Sequence, residues 1–475
     1  MEFMTGKKEK EVLDLAAVFA DGMDGREVKV NGAIMSVRNM GDIAFVILRK
    51  RDGVLQTVYE KGVTDADFTE LREETFVEVS GVLRKEERAP RGMELRLKSV
   101  RILSKPEEPM PIAVSKWKMS ASLEAKLDMR SLTLRNLRER ARFRIQEGIA
   151  RAFREYLHGE GFTEIHSPKI GAKGAEGGAN VFKLDYFHRP AVLAQSPQFY
   201  KQMMVGVFDR VMEVGPVFRA EKHNTKRHLN EYTGLDFEMG YIDDFTDIMA
   251  METGFLQHMV EILKKEYSTE LEILKVKLPE VEKIPAVTFT EAKRLASEKY
   301  GTQIKNPYDL EPEEEHLIGR FDEAKQLVSE KYNRKIRNPF DLEPEEEVLI
   351  GRYFKEEYDS DFVFVTHYPS KKRPFYAMDD PTDPKVTLSF DLLFRGLEVT
   401  TGGQRIHSYT ELMEKIEKRG MDTEGMEQYL STFKHGMPPH GGLGIGLERM
   451  TMQLLEEENV REVSLFPRDM SRLVP

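Results

Sequence analysis

Five short runs of alternating apolar and polar residues fill the stretch from Glu27 to about Ser104, and beyond it the alternation stops. The runs span 28–36, 43–48, 54–59, 77–82 and 94–102, punctuated at Gly41, Gly53 and Pro90. A period of two sends successive side chains to opposite faces, so each run reads as a strand with one buried face. Five such strands in so short a span suggest a small closed barrel of the oligonucleotide-binding kind; a sandwich or an SH3-like barrel fits the same strand count.

The rest of the chain follows a different rule. Residues 1–18 read as a polar helical arm and 19–104 as the barrel domain. "SKPEEPMPIAV", from Ser104, holds three prolines and two acids and opens a linker taken as 105–130. Residues 141–158 place Phe143, Ile145, Ile149, Phe153, Tyr156 and Leu157 on one helical stripe. Strand and helix patterns then alternate to the end, so 131–475 reads as one large α/β or α+β domain. It carries an inserted region, about 267–355, with a tandem repeat. "FTEAKRLASEKYGTQIKNPYDLEPEEEHLIGR" (289–320) is followed directly by "FDEAKQLVSEKYNRKIRNPFDLEPEEEVLIGR" (321–352). A free solenoid needs at least about three units, so two copies read as a duplication within a subdomain. The "EPEEE" runs read as solvated helix starts, their acids near the positive helix end.

Composition removes several function classes. With no cysteine, the chain has no disulfide scaffold, thiolate zinc site, iron–sulfur cluster or cysteine nucleophile. No run approaches the ~18 apolar residues of a membrane span, and the N-terminus lacks an apolar signal core, so a cytoplasmic protein with no membrane partner is expected. Lys and Arg number 71 against 82 Asp and Glu, a net charge of −11. That excludes nucleic-acid binding through overall positive charge and leaves a local basic groove.

Three later stretches are dense in polar groups for a domain interior. Residues 214–239 read as strand, exposed loop, strand, and bring Arg219, Glu221, His223, Arg227, His228, Tyr232, Asp236 and Glu238 into one hairpin. In "SFDLLFRGLEVTTGGQRIH" (389–407), an extended strand with one irregular residue could aim both Asp391 and Glu398 at one site. "HGGLGIGLERM" (440–450) is a Gly-rich strand running into a helix with Arg449. Singly, each has a plainer reading: a charged hairpin, a salt-bridged surface strand, close packing. No Gly-Lys-Ser/Thr follows the glycines, so a P-loop is excluded. Together they offer arginines for phosphates, two carboxylates for a hard cation and an aromatic for a base, the parts that nucleotide activation needs.

These stretches resemble the motifs of class II aminoacyl-tRNA synthetases. "GFTEIHSPKI" (161–170, ending near Pro168) resembles motif 1, "FRAEKHNTKRHLNEYTGLDFE" motif 2 and "GLGIGLERM" motif 3. "AQSPQFYKQ" (194–202) and "GGQRIH" (402–407), with "SLFPRD" near the C-terminus, are similar to aspartyl-tRNA synthetases of the archaeal and eukaryotic type. The resemblance implies an N-terminal OB-fold barrel plus an α+β catalytic domain whose antiparallel sheet is flanked by helices. It further implies a homodimer through motif 1, ATP as substrate, Mg2+ as cofactor, and L-aspartate and tRNA-Asp as partners.

Residue by residue, it implies that Arg219 is the catalytic group at the ATP α-phosphate, with Glu221, Arg227, His228, Tyr232, Glu398 and Arg449 also on ATP. A guanidinium can hold two phosphoryl oxygens and neutralise charge building at phosphorus. Asp391 and Glu398 would take the metal. Glu176, Gln195, Gln198, Lys201, Asp236, Thr401 and Arg405 would hold aspartate, with Lys201 and Arg405 as two cations facing its side chain. Taken alone, Lys201 reads as an exposed helix lysine. On the barrel, Met35, Arg38, Phe45, Gln56 and Pro90 would meet the anticodon; Phe45 alone reads equally as a core strand residue. The Ala-Pro in "RAPRG" resembles the type that also charges tRNA-Asn, whereas Met35 stands where relatives commonly carry tryptophan or histidine. Three rivals share parts of this pattern: an asparaginyl-tRNA synthetase, a paralogue acting as an ATP-dependent asparagine synthetase, and a non-catalytic tRNA-binding paralogue.

Overall fold

The computed structural model describes residues 6, 10–174, 181–222, 225–287 and 344–474. Glu176 and most of the tandem repeat therefore lie outside the described residues. The chain divides into two compact units, Met1–Arg140 and Ala141–Pro475.

The first unit is built on β1 (Glu27–Asn39), β2 (Ile43–Lys50), β3 (Gly53–Glu60), β4 (Phe76–Lys85) and β5 (Met93–Ser104). Their order is β1-β2-β3-β5-β4, and β4 returns to pair with β1. That closure makes an OB-type barrel and excludes the sandwich. β3 and β5 run parallel, with Gln56 opposite Glu94; the other pairings are antiparallel. Val30, Ile34, Leu48, Leu55, Leu83 and Leu95 are wholly buried inside. The helical arm expected at 1–18 is corrected over its described part. Val12–Leu13 pairs as a parallel strand with Lys29 and Val30, and only Leu15–Val18 is a helical turn, capped by the Asp14 side chain. Leu15 and Val18 are fully buried against the barrel core, which draws this segment onto the strands.

The second unit is organised around β6 (Arg210–Phe218), β7 (Glu231–Gly240), β8 (Phe362–Thr366), β9 (Ser389–Phe394), β10 (Leu397–Arg405) and β11 (His440–Gly446). They pair antiparallel in the order β8-β9-β10-β11-β7-β6, with two-residue parallel strands at the edges, Ala286–Val287 and Thr163–Glu164. The helices are α1 (Leu137–Gly159), α2 (Gln198–Phe208), α3 (Thr246–Glu266), α4 (Pro344–Tyr358), α5 (Tyr409–Lys418), α6 (Glu427–Lys434) and α7 (Leu447–Leu454). The stripe on α1 is as spaced: Ile145, Ile149, Phe153 and Leu157 are fully buried, with Phe143 and Tyr156 half-buried at its margins. Each fully buried side chain of this size stabilises the fold by about 1.5–3 kcal/mol.

Strand β7 shows how the sheet sorts its residues. Leu235, Phe237 and Met239 join the core with α1 and α3, while the intervening Gly234, Asp236 and Glu238 stand on the opposite face. That period of two separates an apolar face from a polar one, and the polar face is the floor of a cavity. A second apolar cluster, Phe375, Tyr376, Ile406, Leu412, Tyr429 and Phe433, packs α5 and α6 together.

Candidate active site

The cavity has a volume of about 640 Å3. Its lining carries nine Lys or Arg side chains (201, 219, 227, 371, 372, 373, 405, 419, 449) against four Asp or Glu (221, 236, 398, 448). An acidic chain has thus concentrated positive charge where a polyanion can enter.

One end is an ion-pair cluster. Lys201 lies on α2 and is 2% exposed, so the exposed-lysine reading is overturned. Its Nζ donates to Asp236 Oδ1 at 3.0 Å and to the Leu443 carbonyl at 2.8 Å, and stands 3.4 Å from Glu238 Oε2. Arg405 on β10 donates through Nε to Glu238 Oε1 at 2.9 Å and through Nη2 to the Gly442 carbonyl at 2.9 Å. Two cations awaiting a carboxylate are therefore not what the fold presents: Asp236 and Glu238 already balance them, because unpaired charge so deep would be prohibitively costly. Burial alone would raise the Glu238 carboxyl, but Arg405 and Lys201 override it and hold it below the usual range. Asp236 is raised, burial outweighing the attraction of Lys201. Gly442 and Gly444 face these acids across the β7–β11 pair. A Cβ on Gly442 would sit 2.2 Å from Glu238 Oε2, so this glycine makes room for the carboxylate. Gln195 and Gln198, both buried, line the same cavity.

The other end is built by the β6–β7 loop, the β9–β10 hairpin and α7. Arg219 follows β6, its guanidinium carbon 6.0 Å from the Tyr232 ring centre, and Asn230 pins the loop by donating to the Arg219 carbonyl at 2.7 Å. His228 lies 3.6 Å from Glu221, with Thr225 Oγ1 2.6 Å from its Nδ1. Arg449 on α7 donates to the Glu398 carbonyl at 3.2 Å and stands 3.7 Å from its carboxylate. Thr401 donates to Glu398 Oε1 at 3.1 Å.

Asp391 and Glu398 do not share one strand, as the seven-residue spacing suggested. They sit on the paired strands β9 and β10, and the irregularity lies at the register shift beyond Leu392, which leaves Val399 unopposed. Asp391 is buried behind the lining and ion-paired to Arg373 at 2.7 Å. Burial lifts its pKa to about 6, with Arg373 opposing and Glu398 adding to the rise.

The structure brings Gln195, Gln198, Lys201, Arg219, Glu221, Arg227, His228, Tyr232, Asp236, Glu398, Thr401, Arg405 and Arg449 onto one cavity, with Asp391 behind it. It adds Lys371, Lys372, Arg373, Arg419 and Glu448 to the lining, which the sequence did not single out, and beside it Glu347, paired with Arg227, and Glu238, which the sequence placed in the hairpin without a site role, paired with Lys201 and Arg405. Arg419 fixes the Ser370–Lys372 turn by donating to the Ser370 and Arg373 carbonyls at 2.6 and 2.7 Å. Glu448 accepts the Thr233 N–H, and burial raises it to about 7. "SKKRP" was the available signal for the cationic turn, whereas Glu347 was hidden in an acidic run read as solvated. That expectation is corrected for this residue: Glu347 is 7% exposed and paired with Arg227, and burial raises it to about 7.

On the barrel, Phe45 stands between the inward-facing Ala44 and Val46, which sends its half-exposed ring to the outer surface and removes the core reading. Arg38 is its direct cross-strand neighbour. Met35 is the extra residue at a bulge in β1, Gln56 lies on β3 bonded to Glu94, and Pro90 opens the turn Pro90–Gly92. No helix among the described residues is long and apolar enough to cross a membrane.

Comparisons with known proteins bear on this geometry. Residues 122–470 match the family model of class II tRNA synthetases (D, K and N), and residues 28–103 match that of the OB-fold nucleic acid binding domain. The chain is 43% identical to the aspartate–tRNA(Asp/Asn) ligase of Deinococcus radiodurans, over 95% of this chain and 96% of the relative. It is 40% identical to the ligase of the same name from Aeropyrum pernix, over 98% and 100%. Among solved structures, it resembles asparaginyl-tRNA synthetase from Pyrococcus horikoshii complexed with asparaginyl-adenylate, with TM-score 0.80, 29% identity, and coverage of 95% of this chain and 97% of that one.

Proposed function

This chain belongs to the class II tRNA synthetases of the D, K and N group, and from that premise we propose that it ligates L-aspartate to tRNA-Asp, and to tRNA-Asn as well, through an aspartyl-adenylate made from ATP. The observation that carries the reading is the buried Lys201–Arg405 pair, held by Asp236 and Glu238 at the floor of a cavity whose lining is rich in cations. Lys201 and Arg405 bind the aspartate side chain, Asp236 accepts from its ammonium group, and Gln195 and Gln198 border it. Glu176 remains part of this set by resemblance only. Asp236 and Glu238 already balance Lys201 and Arg405, so the choice between aspartate and asparagine rests on whether the ligand side chain brings a charged or a neutral acceptor to this cluster, and charge-assisted bonds favour the carboxylate. The asparaginyl reading has less support, since the relatives at 40–43% identity are aspartate ligases.

In the first step an oxygen of the aspartate α-carboxylate attacks the α-phosphorus of ATP in line, and pyrophosphate leaves. Arg219 holds the α-phosphate as charge builds there; Glu221, Arg227 and His228 border the nucleotide; Tyr232 and Arg449 sandwich the adenine. Positioning and charge stabilisation carry this step, and no general base is required. The 3′-hydroxyl of the tRNA terminal adenosine then attacks the activated carbonyl and releases AMP. Asp391, Glu398 and Thr401 are an oxygen-only donor set of the kind a hard divalent cation takes, and Arg373, which pairs with Asp391 at 2.7 Å, holds the position that such a cation would take over. Mg2+ held there would neutralise phosphate charge. The barrel meets the anticodon through Phe45, Arg38, Gln56, Met35 and Pro90, and the segment 161–170 supports a homodimer.

Arg219→Ala should abolish aspartate-dependent pyrophosphate exchange; wild-type exchange in that variant removes Arg219 from its role. Charging purified tRNA-Asp and tRNA-Asn side by side with labelled aspartate tests the range. Ala89 and Pro90 in the β4–β5 turn favour both acceptors, and no product on tRNA-Asn would restrict the enzyme to one.

A further inference from the structure

Helix α4 begins within the second copy of the tandem repeat, and one of its side chains bonds to two residues at the nucleotide end of the cavity. Glu347 Oε2 accepts the Glu398 backbone N–H at 3.0 Å, and the same oxygen accepts from Arg227 Nη2 on the β6–β7 loop. The placement of Glu347 does not depend on its own rotamer alone. Gly351, one turn later on the same helical face, lies against the β9–β10 turn so closely that a Cβ there would be 2.3 Å from the Gly396 nitrogen. In turn, a Cβ on Gly396, whose φ is +76°, would be 2.6 Å from Val348 Cα. Ile350, Tyr353 and Phe354 are buried alongside. The helix backbone is thus seated directly on the hairpin that carries Asp391 and Glu398.

We propose that Glu347 is a positioning residue for nucleotide activation: a single carboxylate oxygen ties Arg227 to the Glu398 backbone at the β10 bulge, so that a helix outside the cavity sets where a phosphate-binding cation stands relative to a metal-binding carboxylate. This rests on the nucleotide site proposed above. Arg227 is a long side chain on a loop, and a charge-assisted bond to a seated helix removes most of its freedom before ATP arrives. Glu347 touches neither substrate; its effect passes through Arg227 and Glu398.

The test uses the full chain. Glu347→Gln keeps the size of the side chain and an acceptor oxygen but loses the charge. Equilibrium dialysis with ATP and Mg2+ should show affinity weakened about tenfold, the loss of one charge-assisted bond. In pyrophosphate exchange, KM for ATP should rise in step while KM for aspartate stays within about twofold of wild type. In an Arg227→Ala background, Glu347→Gln should add little, because the partner through which it acts is gone. Unchanged ATP affinity, an equal loss for aspartate, or full additivity with Arg227→Ala would each overturn the proposal. Should the glutamine variant not fold, Glu347→Asp keeps the charge and withdraws it by one methylene; the same split between ATP and aspartate is expected, and its absence is equally decisive. A wild-type chain that binds ATP but exchanges no aspartate would sink the aspartate reading alone, since dialysis still reads Glu347. A wild-type chain that binds no ATP would sink both.

Discussion

Lys201→Met removes a charge from a place where water cannot compensate. The methionine retains the length and apolar stem of lysine, so the perturbation is electrostatic and leaves little cavity. The lysine is 2% exposed and serves Asp236, the Leu443 carbonyl and Glu238 together. Without it Arg405 is left to balance two buried carboxylates. Removing one partner of such a pair costs about 3–5 kcal/mol. The pH dependence has a definite sign. Asp236 already sits above the usual carboxyl range, raised by burial, and losing the attraction of Lys201 raises it further. A native state that holds a proton the unfolded chain has released becomes less stable as pH rises through that window. The variant's deficit is therefore greatest at and above neutrality and shrinks on acidification. Calorimetry is the suitable readout, because the single tryptophan, Trp117, is exposed and belongs to the first unit, not to the core that Lys201 joins. On activity, kcat/KM for aspartate should fall by about a hundredfold or more, since each 1.4 kcal/mol is a factor of ten. The preference over asparagine should fall with it. An unfolding transition at the wild-type position at pH 8, with an unchanged ratio of aspartate to asparagine exchange, would refute the reasoning.

Two further outcomes are expected. Phe45→Ala removes an aromatic platform from the outer barrel face, worth about 1–3 kcal/mol per stacked base; KM for tRNA should rise about tenfold or more with pyrophosphate exchange unaltered, and a parallel loss of exchange would contradict the assignment. Glu252 on α3 is fully buried, accepts from Thr400 Oγ1 at 2.5 Å, and is raised to about 8 by burial. The native state then keeps a proton that the unfolded chain loses, so stability should decline as pH rises from the ordinary carboxyl range towards 8. Glu252→Gln should flatten that slope in calorimetry between pH 5 and 8, and an unchanged slope would place the titration elsewhere.

The local patterns were legible because strand and helix periods are properties of short segments. The alternation at 27–104 encoded the barrel strands, and the spacing on α1 its buried stripe. The same alternation on β7 already separated Leu235 and Phe237 from Asp236 and Glu238, although which face would border a cavity was not written there. Residue type also limited the chemistry, as guanidinium groups, carboxylates and glycines recurred at motif spacing.

What tertiary structure alone decided was charge pairing and burial. Lys201 and Arg405 looked like cations awaiting a substrate, but the fold closes them onto Asp236 and Glu238, because desolvated charge must be matched by groups far away in the chain. Asp391 and Glu398 were taken for one strand until the hairpin and its bulge put them on neighbouring strands, and Glu347 was taken for a solvated acid until α4 was seated on Gly396. A sequence specifies which groups exist and what local structure they favour. Which charges lose their water, and which partner replaces it, depends on contacts between residues far apart in the chain, such as Lys201 with Leu443, 242 positions on.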